Sequence, residues 1–160
     1  MDRNQMAFRC ADAEVVETVR LEGYRLAFRT NSGGRGVATI LPDPESYVDG
    51  VLWRISERDE QNLDRYEGFP ILYGKEPVSV TDPDGLRREV MAYTMNSPYK
   101  DVPALPSPPY LEGILYGCWQ NKLDTHAVLD TVACTRQEVR KMEQERKRQR
   151  SKKKNQSKGR

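Results

Sequence analysis

One histidine, three cysteines, three phenylalanines and two tryptophans are all that the 160 residues hold of those types. A lone His126 rules out a histidine-rich metal centre, and any Ser-His or Cys-His nucleophile pair that does not use it. Cys10, Cys118 and Cys134 are odd in number and widely spaced. They form neither a disulfide framework nor a CxxC metal pair, and a reducing, cytoplasmic setting suits them. No apolar run approaches the length of about eighteen residues that a transmembrane helix needs. The opening Met1-Asp2-Arg3-Asn4-Gln5-Met6 has no apolar core and no cleavage site, so no signal peptide is expected there.

Charge is plentiful but unevenly placed. The formal net charge is only +2, yet residues 136–160 carry twelve Lys or Arg against three Glu. The preceding 135 residues hold the other fourteen basic and twenty-one acidic residues. The chain therefore divides into an acidic body, residues 1–135, long enough for one domain, and a strongly basic tail, residues 136–160.

Hydrophobic periodicity organises the body. Val15, Val19 and Leu21, then Tyr24, Leu26 and Phe28, alternate with polar residues and change parity at Gly23, which predicts a strand with a bulge or turn at the glycine. Residues 31–36 form a glycine-rich loop. Residues 37–41 read as a short buried strand closed by Pro42-Asp43-Pro44, and 48–55 as another, with Val51, Trp53 and Ile55 on one face. Ser56, with Asp59 three residues on, signals a helix start, and Gly68 with Pro70 its end. Leu63 and Tyr66 are expected to face inward. Residues 77–81 and 87–95 are strands joined by Asp82-Pro83-Asp84-Gly85, a strong hairpin turn.

A proline-rich loop over 98–109 leads to a helix over 110–120 that turns Leu111, Ile114, Leu115 and Cys118 inward. A second helix follows from about Asp124, with Val128, Leu129, Val132 and Val139 as its apolar positions. Beyond Met142 that face vanishes, and residues 151–160 are expected to be disordered or a frayed helix. Strands dominate the first two-thirds and helices the last third. The class is α+β, expected as a small mixed β-barrel with flanking helices.

Glu67 is the most interesting acid, since it closes a helix, where the dipole tends to raise a carboxyl pKa, and a chain-reversing glycine follows it. Such a carboxyl could serve as a general acid or base, or be a surface residue at a frayed end. The segments Gly23-Tyr24-Arg25-Leu26-Ala27-Phe28, Gly36-Val37-Ala38-Thr39-Ile40, Val48-Asp49-Gly50-Val51-Leu52-Trp53 and Leu63-Asp64-Arg65-Tyr66-Glu67-Gly68, followed by Pro106-Ser107-Pro108-Pro109-Tyr110, resemble the gamma-glutamylcyclotransferase (AIG2-like) superfamily in order and spacing. The resemblance covers residues 1 to about 130.

It implies a barrel with a pocket at one end and Glu67 as general acid/base. The α-amine of a γ-glutamyl group attacks its own γ-carbonyl, closing 5-oxoproline and expelling an amine or amino acid. No metal or cofactor is implied. The nucleophile belongs to the substrate, so ring closure has a high effective molarity. The family's pattern opens with a strand ending in a Tyr-Gly-Ser-Asn loop that binds the glutamyl end. This sequence matches from just past that loop, so the resemblance implies a domain short of its first strand, with a misplaced start codon as the preferred account. A genuine truncation would open the barrel and expose unpaired backbone. A non-catalytic, ligand- or partner-binding member is the alternative reading.

The resemblance also implies Tyr110 and Tyr73 at the pocket; Tyr110 could equally be a half-buried aromatic capping the core, and Tyr73 stands one residue short of the family's spacing. Arg35, on the glycine-rich loop, is a candidate for a substrate carboxylate. That loop does not fit a phosphate site, because no Lys-Ser/Thr pair follows and it runs into a strand. His126 reads as a helix-flank residue, while Cys118, Trp53 and Tyr66 read as packing residues. The expected partner is a small γ-glutamyl compound, with no membrane, in a monomer or homodimer. For the tail two readings stand, a solvated extension or contact with nucleic acid phosphates. Without aromatic residues to stack bases, specific single-strand recognition is not expected.

Overall fold

In a computed structural model that describes residues 2–158, and side chains as far as Lys154, four strands and four α-helices follow in the order α-β-β-α-β-β-α-α. Helix α1 (Arg3–Arg9) precedes strands β1 (Glu14–Thr30) and β2 (Gly36–Arg54). Helix α2 (Glu57–Glu67) precedes β3 (Tyr73–Thr81) and β4 (Arg87–Met95). Helices α3 (Pro108–Gln120) and α4 (His126–Lys158) complete the fold.

The bulge at Gly23 carries the design of the sheet. Leu21 pairs with Val48 and Tyr24 with Pro42, so the register slips at the glycine, whose φ is +79°. Between Glu22–Tyr47 and Tyr24–Pro42 one residue of β1 faces four of β2, and the left-handed Gly23 flips the side-chain parity of β1. That is why Val19 and Leu21 before it, and Leu26 after it, all line the concave side.

Residues 43–46 loop out opposite Gly23, and Pro42-Asp43-Pro44 does not end the strand as expected. The segments 37–41 and 48–55 are one element, because among the described strands β2 pairs only with β1 and its other edge asks no N–H of a proline. Gly36 opens β2 at a close approach, since a Cβ there would lie 2.1 Å from the Ala104 carbonyl oxygen.

The β3–β4 hairpin forms as expected. The Asp82 carboxylate accepts from the Asp84 and Leu86 N–H groups at 3.0 and 2.8 Å, and Gly85 supplies a φ of +84°. β3 begins at Tyr73, four residues before the expected Pro77.

The expected barrel does not close. Strand order is β2-β1-β3-β4, with all neighbours antiparallel, and a single register pair, Arg20 with Thr81, joins β3 to β1. Among the described residues no backbone ladder joins β4 to β2. Side chains span the gap instead, with the Met95 N–H donating to Thr39 Oγ1 at 3.1 Å. The result is a strongly curved open sheet.

Two apolar clusters hold it. Leu21, Val78 and Val80 pack on the concave face with Ile40 and Val90. Phe28, Cys118 and Val128 join the sheet to α3 and α4. Tyr66 and Leu129, expected inward, are 58% and 46% exposed. Leu63 and Val128 already fill those faces, at 8% and 3% exposure. Helix α4 does not fray at Ser151 but continues to Lys158. Among the described residues no helix is long and apolar enough to cross a membrane.

Candidate active site

Helix α2 is locally encoded. Ser56 Oγ accepts the Asp59 N–H at 3.2 Å while the Asp59 carboxylate accepts the Ser56 N–H, a reciprocal capping box. Gly68, at φ +64°, ends the helix in the left-handed conformation. These two signals fix where the last helical residue falls, and that residue is Glu67.

The wall beside α2 is tertiary. Lys75 Nζ of β3 donates to Glu60 at 2.6 Å and to Asp64 at 3.0 Å, and the Tyr93 hydroxyl of β4 donates to Asp64 at 2.6 Å. One face of α2 is thereby tied to the hairpin. Helix α1 is tied to the other face, with Asn62 Nδ2 donating to the Arg9 carbonyl at 3.2 Å and the fully buried Cys10 thiol against the Asp59 carbonyl.

Between these elements and the concave sheet lies a cavity of about 480 Å³. Its walls are mostly aliphatic, drawn from β1 through β4. The polar exceptions are Arg9, Thr39, Glu67, Tyr73 and Tyr93, one from each of five elements. A second cleft of about 520 Å³, beside Arg20, Asp49 and Lys122, brings together none of the expected site residues.

Glu67 is half-buried, and burial pushes its carboxyl above the usual carboxylate range, with Arg9 pulling partly the other way. Desolvation therefore dominates. It keeps the carboxyl closer to neutral pH, where a group that must both take and give a proton works best. Tyr73, only 6% exposed, has its phenol pushed up by burial and by its neighbours Tyr110 and Glu67. Tyr93 is pushed up by burial and by its bond to Asp64. Both stay protonated as donors.

Tyr73 and Tyr110 meet on one peptide. The Tyr73 hydroxyl donates to the Ala38 carbonyl at 2.5 Å, and the Ala38 N–H donates to the Tyr110 oxygen at 3.0 Å. These are outward-facing groups of the β2 edge, so two phenols stand where a further strand would pair. Pro108 and Pro109 start α3 and aim Tyr110 at this edge.

Of the four expected residues, Glu67 and Tyr73 line the cavity, while Tyr110 meets Tyr73 at Ala38 without lining it. Arg35 stands exposed on the 31–35 loop and is not part of the cavity wall. His126 is exposed on its helix flank as expected, with Asp124 at 3.0 Å, and Trp53 is half-buried in the cavity wall. Arg9, Thr39 and Tyr93 went unread in the sequence. Arg9 follows a well-marked N-cap, Asp2, but no spacing rule ties it to an acid 58 positions away. Among the described residues no three metal-ligating side chains come together.

The curved, open α+β sheet and the half-buried carboxyl at the end of α2 border a cavity of small-molecule size. The sequence pattern of the family described as "Gamma-glutamyl cyclotransferase, AIG2-like" matches residues 1–121, and the chain belongs to that family. It is 32% identical to bovine gamma-glutamylcyclotransferase over 111 residues, covering 65% of this chain and 57% of that protein. The mouse gamma-glutamylcyclotransferase is 30% identical over 128 residues, covering 76% of this chain and 63% of its own length. The chain thus spans about three fifths of the length of these relatives. Among solved structures, one titled "Gamma-glutamyl cyclotransferase" superposes with a TM-score of 0.68 at 28% identity, over 78% of this chain and 76% of that one.

Proposed function

We propose that the chain converts a small γ-glutamyl amine or amino acid into 5-oxoproline and the free amine, with Glu67 as general acid/base. The observation that carries this reading is the Glu67 carboxyl, raised by burial, in the wall of a cavity that also holds Tyr73. The substrate's α-nitrogen forms a bond to its γ-carbonyl carbon, and the γ-carbon to amine bond breaks. Glu67 takes the proton that the α-nitrogen loses and delivers it to the departing nitrogen. Tyr73 and Tyr110 are proposed to hold the glutamyl end. Arg35 is proposed only for a substrate carboxylate that reaches outside the cavity. Family membership and the curated relatives support the reaction type.

The three cysteines are free, which fits work in a reducing, cytoplasmic compartment. One observation favours the second reading, a ligand-binding member without turnover. The two phenols are engaged with Ala38 on an open sheet edge.

The test is 5-oxoproline release from a panel of γ-glutamyl amino acids and amines. Glu67→Gln is expected to lower turnover by about 10²–10⁴-fold. Equal turnover by both proteins removes Glu67 from the chemistry. Binding without turnover of any compound selects the second reading.

A further inference from the structure

Helix α4 is one continuous helix with two unlike halves. Its first half docks. Val128 is 3% exposed, Thr135 is 1% exposed, and the Glu138 carboxylate clamps Arg29 of β1 through two bonds of 2.6 and 3.1 Å. Past Met142, the last half-buried residue among those whose side chains are described, every side chain from 143 to 154 is exposed and none is apolar. Residues 140–154 carry nine Lys or Arg against Glu143 and Glu145.

We propose that this projecting half-helix binds duplex nucleic acid of B-form geometry, lying in the major groove and contacting phosphates on both sides without reading bases. The charge is spread around the helix rather than gathered on one face. At about 100° per residue, Lys141, Arg148 and Lys152 share one flank, Arg146, Arg150 and Lys153 lie across from it, and Arg140, Lys147 and Lys154 form a third row beside the second, so that basic side chains surround the helix. A flat partner, such as a bilayer surface, engages one flank and leaves the other in water. A groove presents a phosphate wall to each.

Dimensions agree. A helix with its side chains is about 10–12 Å across, and the B-form major groove is about 12 Å wide. The A-form major groove of duplex RNA is too narrow and deep to admit it. Residues 140–154 would follow the groove for about 22 Å. The absence of any apolar side chain from 143 to 154 argues against a membrane-surface helix, which needs an apolar face to insert. The acidic body, with twenty-one acidic residues against fourteen basic, is repelled by the same phosphates, so the projecting half leads and the body stays clear.

The test uses the full chain and fluorescence anisotropy with a duplex DNA of about 20 base pairs, a duplex RNA of matching sequence, and phosphatidylserine-containing vesicles, at about 50–200 mM salt. The DNA duplex is expected to bind tightest, with little dependence on sequence and a steep loss of affinity with salt. Two triple variants then decide the geometry, Lys141→Gln/Arg148→Gln/Lys152→Gln on one flank and Arg146→Gln/Arg150→Gln/Lys153→Gln on the other. Each is expected to weaken DNA binding at least about tenfold and to flatten the log–log salt slope by about 3. The proposal is overturned if either triple variant binds as the parent does. It is equally overturned if duplex RNA or vesicles bind as tightly as DNA, or if the full chain binds no DNA at about 50 mM salt.

Discussion

At the scale of single residues, the burial that supports the role proposed for Glu67 also bears on stability. Burial raises its carboxyl pKa above that of the unfolded chain, so the folded state holds the proton more tightly. The sign follows directly. Any stability from this group is fully present below the unfolded carboxyl range and is lost as pH rises through the raised value. At neutral pH the folded protein therefore carries a partly desolvated charge it would be more stable without. Glu67→Gln, which keeps the shape and removes the charge, is expected to raise the melting temperature at pH 7 to 8. The increase should shrink toward pH 4, near the ordinary carboxyl range. Thermal unfolding of both proteins across that range checks it. An increase of the same size at pH 4 as at pH 8 would show that burial of the charge is not the cause.

Glu67 was legible in the sequence because its position is set by neighbours within a few residues, Ser56 and Asp59 ahead of it and Gly68 behind. Arg9, Thr39 and Tyr93 were not. Their relation to the cavity exists only once α1, β2 and β4 have been brought together, and no local pattern encodes that.

At the scale of elements, the orientation of α2 rests on a few polar contacts across the sheet. Lys75 reaches both Glu60 and Asp64, one turn apart on the helix, and Tyr93 completes Asp64's partners. The Asp64 carboxyl is held below the usual range, first by its bond to Lys75 and then by that to Tyr93. Here the sign is the reverse of Glu67's. The contribution is present above the unfolded carboxyl range and is lost as pH falls through the lowered value. Lys75→Met is thus expected to lower the melting temperature at pH 7 and to lose that deficit on acidification, as Asp64 protonates in the parent too. Raising the salt should also narrow the deficit, because these groups are partly exposed. A deficit unchanged by both acid and salt would assign it to the ammonium's place over the Phe69 ring rather than to its pairing with Glu60 and Asp64.

Strand periodicity, the Gly23 parity change and the β3–β4 turn were all readable ahead of the structure. The continuity of β2 through two prolines was not. A proline ends a strand only where its N–H is owed to a neighbour, and whether β2 lies at an edge is a property of the whole sheet. The unclosed barrel is the same kind of miss. Strand content could be counted along the chain, but closure depends on whether β4 meets β2 by backbone, and here Thr39 and two tyrosines occupy that seam.

At the scale of the molecule, the uneven charge marks where the domain gives way to the projecting helix, yet the contacts argue for a boundary a few residues later than composition does. Composition divides the chain at 135/136, where the basic run begins. The helix crosses that point unbroken, and Glu138, beyond it, pairs with Arg29, whose side chain is only 6% exposed. Arg25 adds a weaker contact at 3.6 Å. Two truncations separate the boundaries. A chain ending at Val139 keeps the pair and is expected to melt with the full chain. A chain ending at Thr135 leaves the Arg29 guanidinium buried with only the Phe28 carbonyl as acceptor, at 3.1 Å.

An unpaired buried charge costs several kcal/mol. Glu138 is about one-third exposed, however, so screening reduces the loss to about 1–3 kcal/mol, or roughly 3–10 °C in melting temperature. Glu138→Gln in the full chain should reproduce most of that loss, since an amide cannot balance the guanidinium. Arg29, first among its neighbours, holds the Glu138 carboxyl below the usual range. The loss is therefore present above the unfolded carboxyl range and disappears as pH falls through the lowered value. If the chain ending at Thr135 melts with the chain ending at Val139 at pH 7, the domain ends where the charge does, and the Arg29–Glu138 pair contributes nothing to its stability.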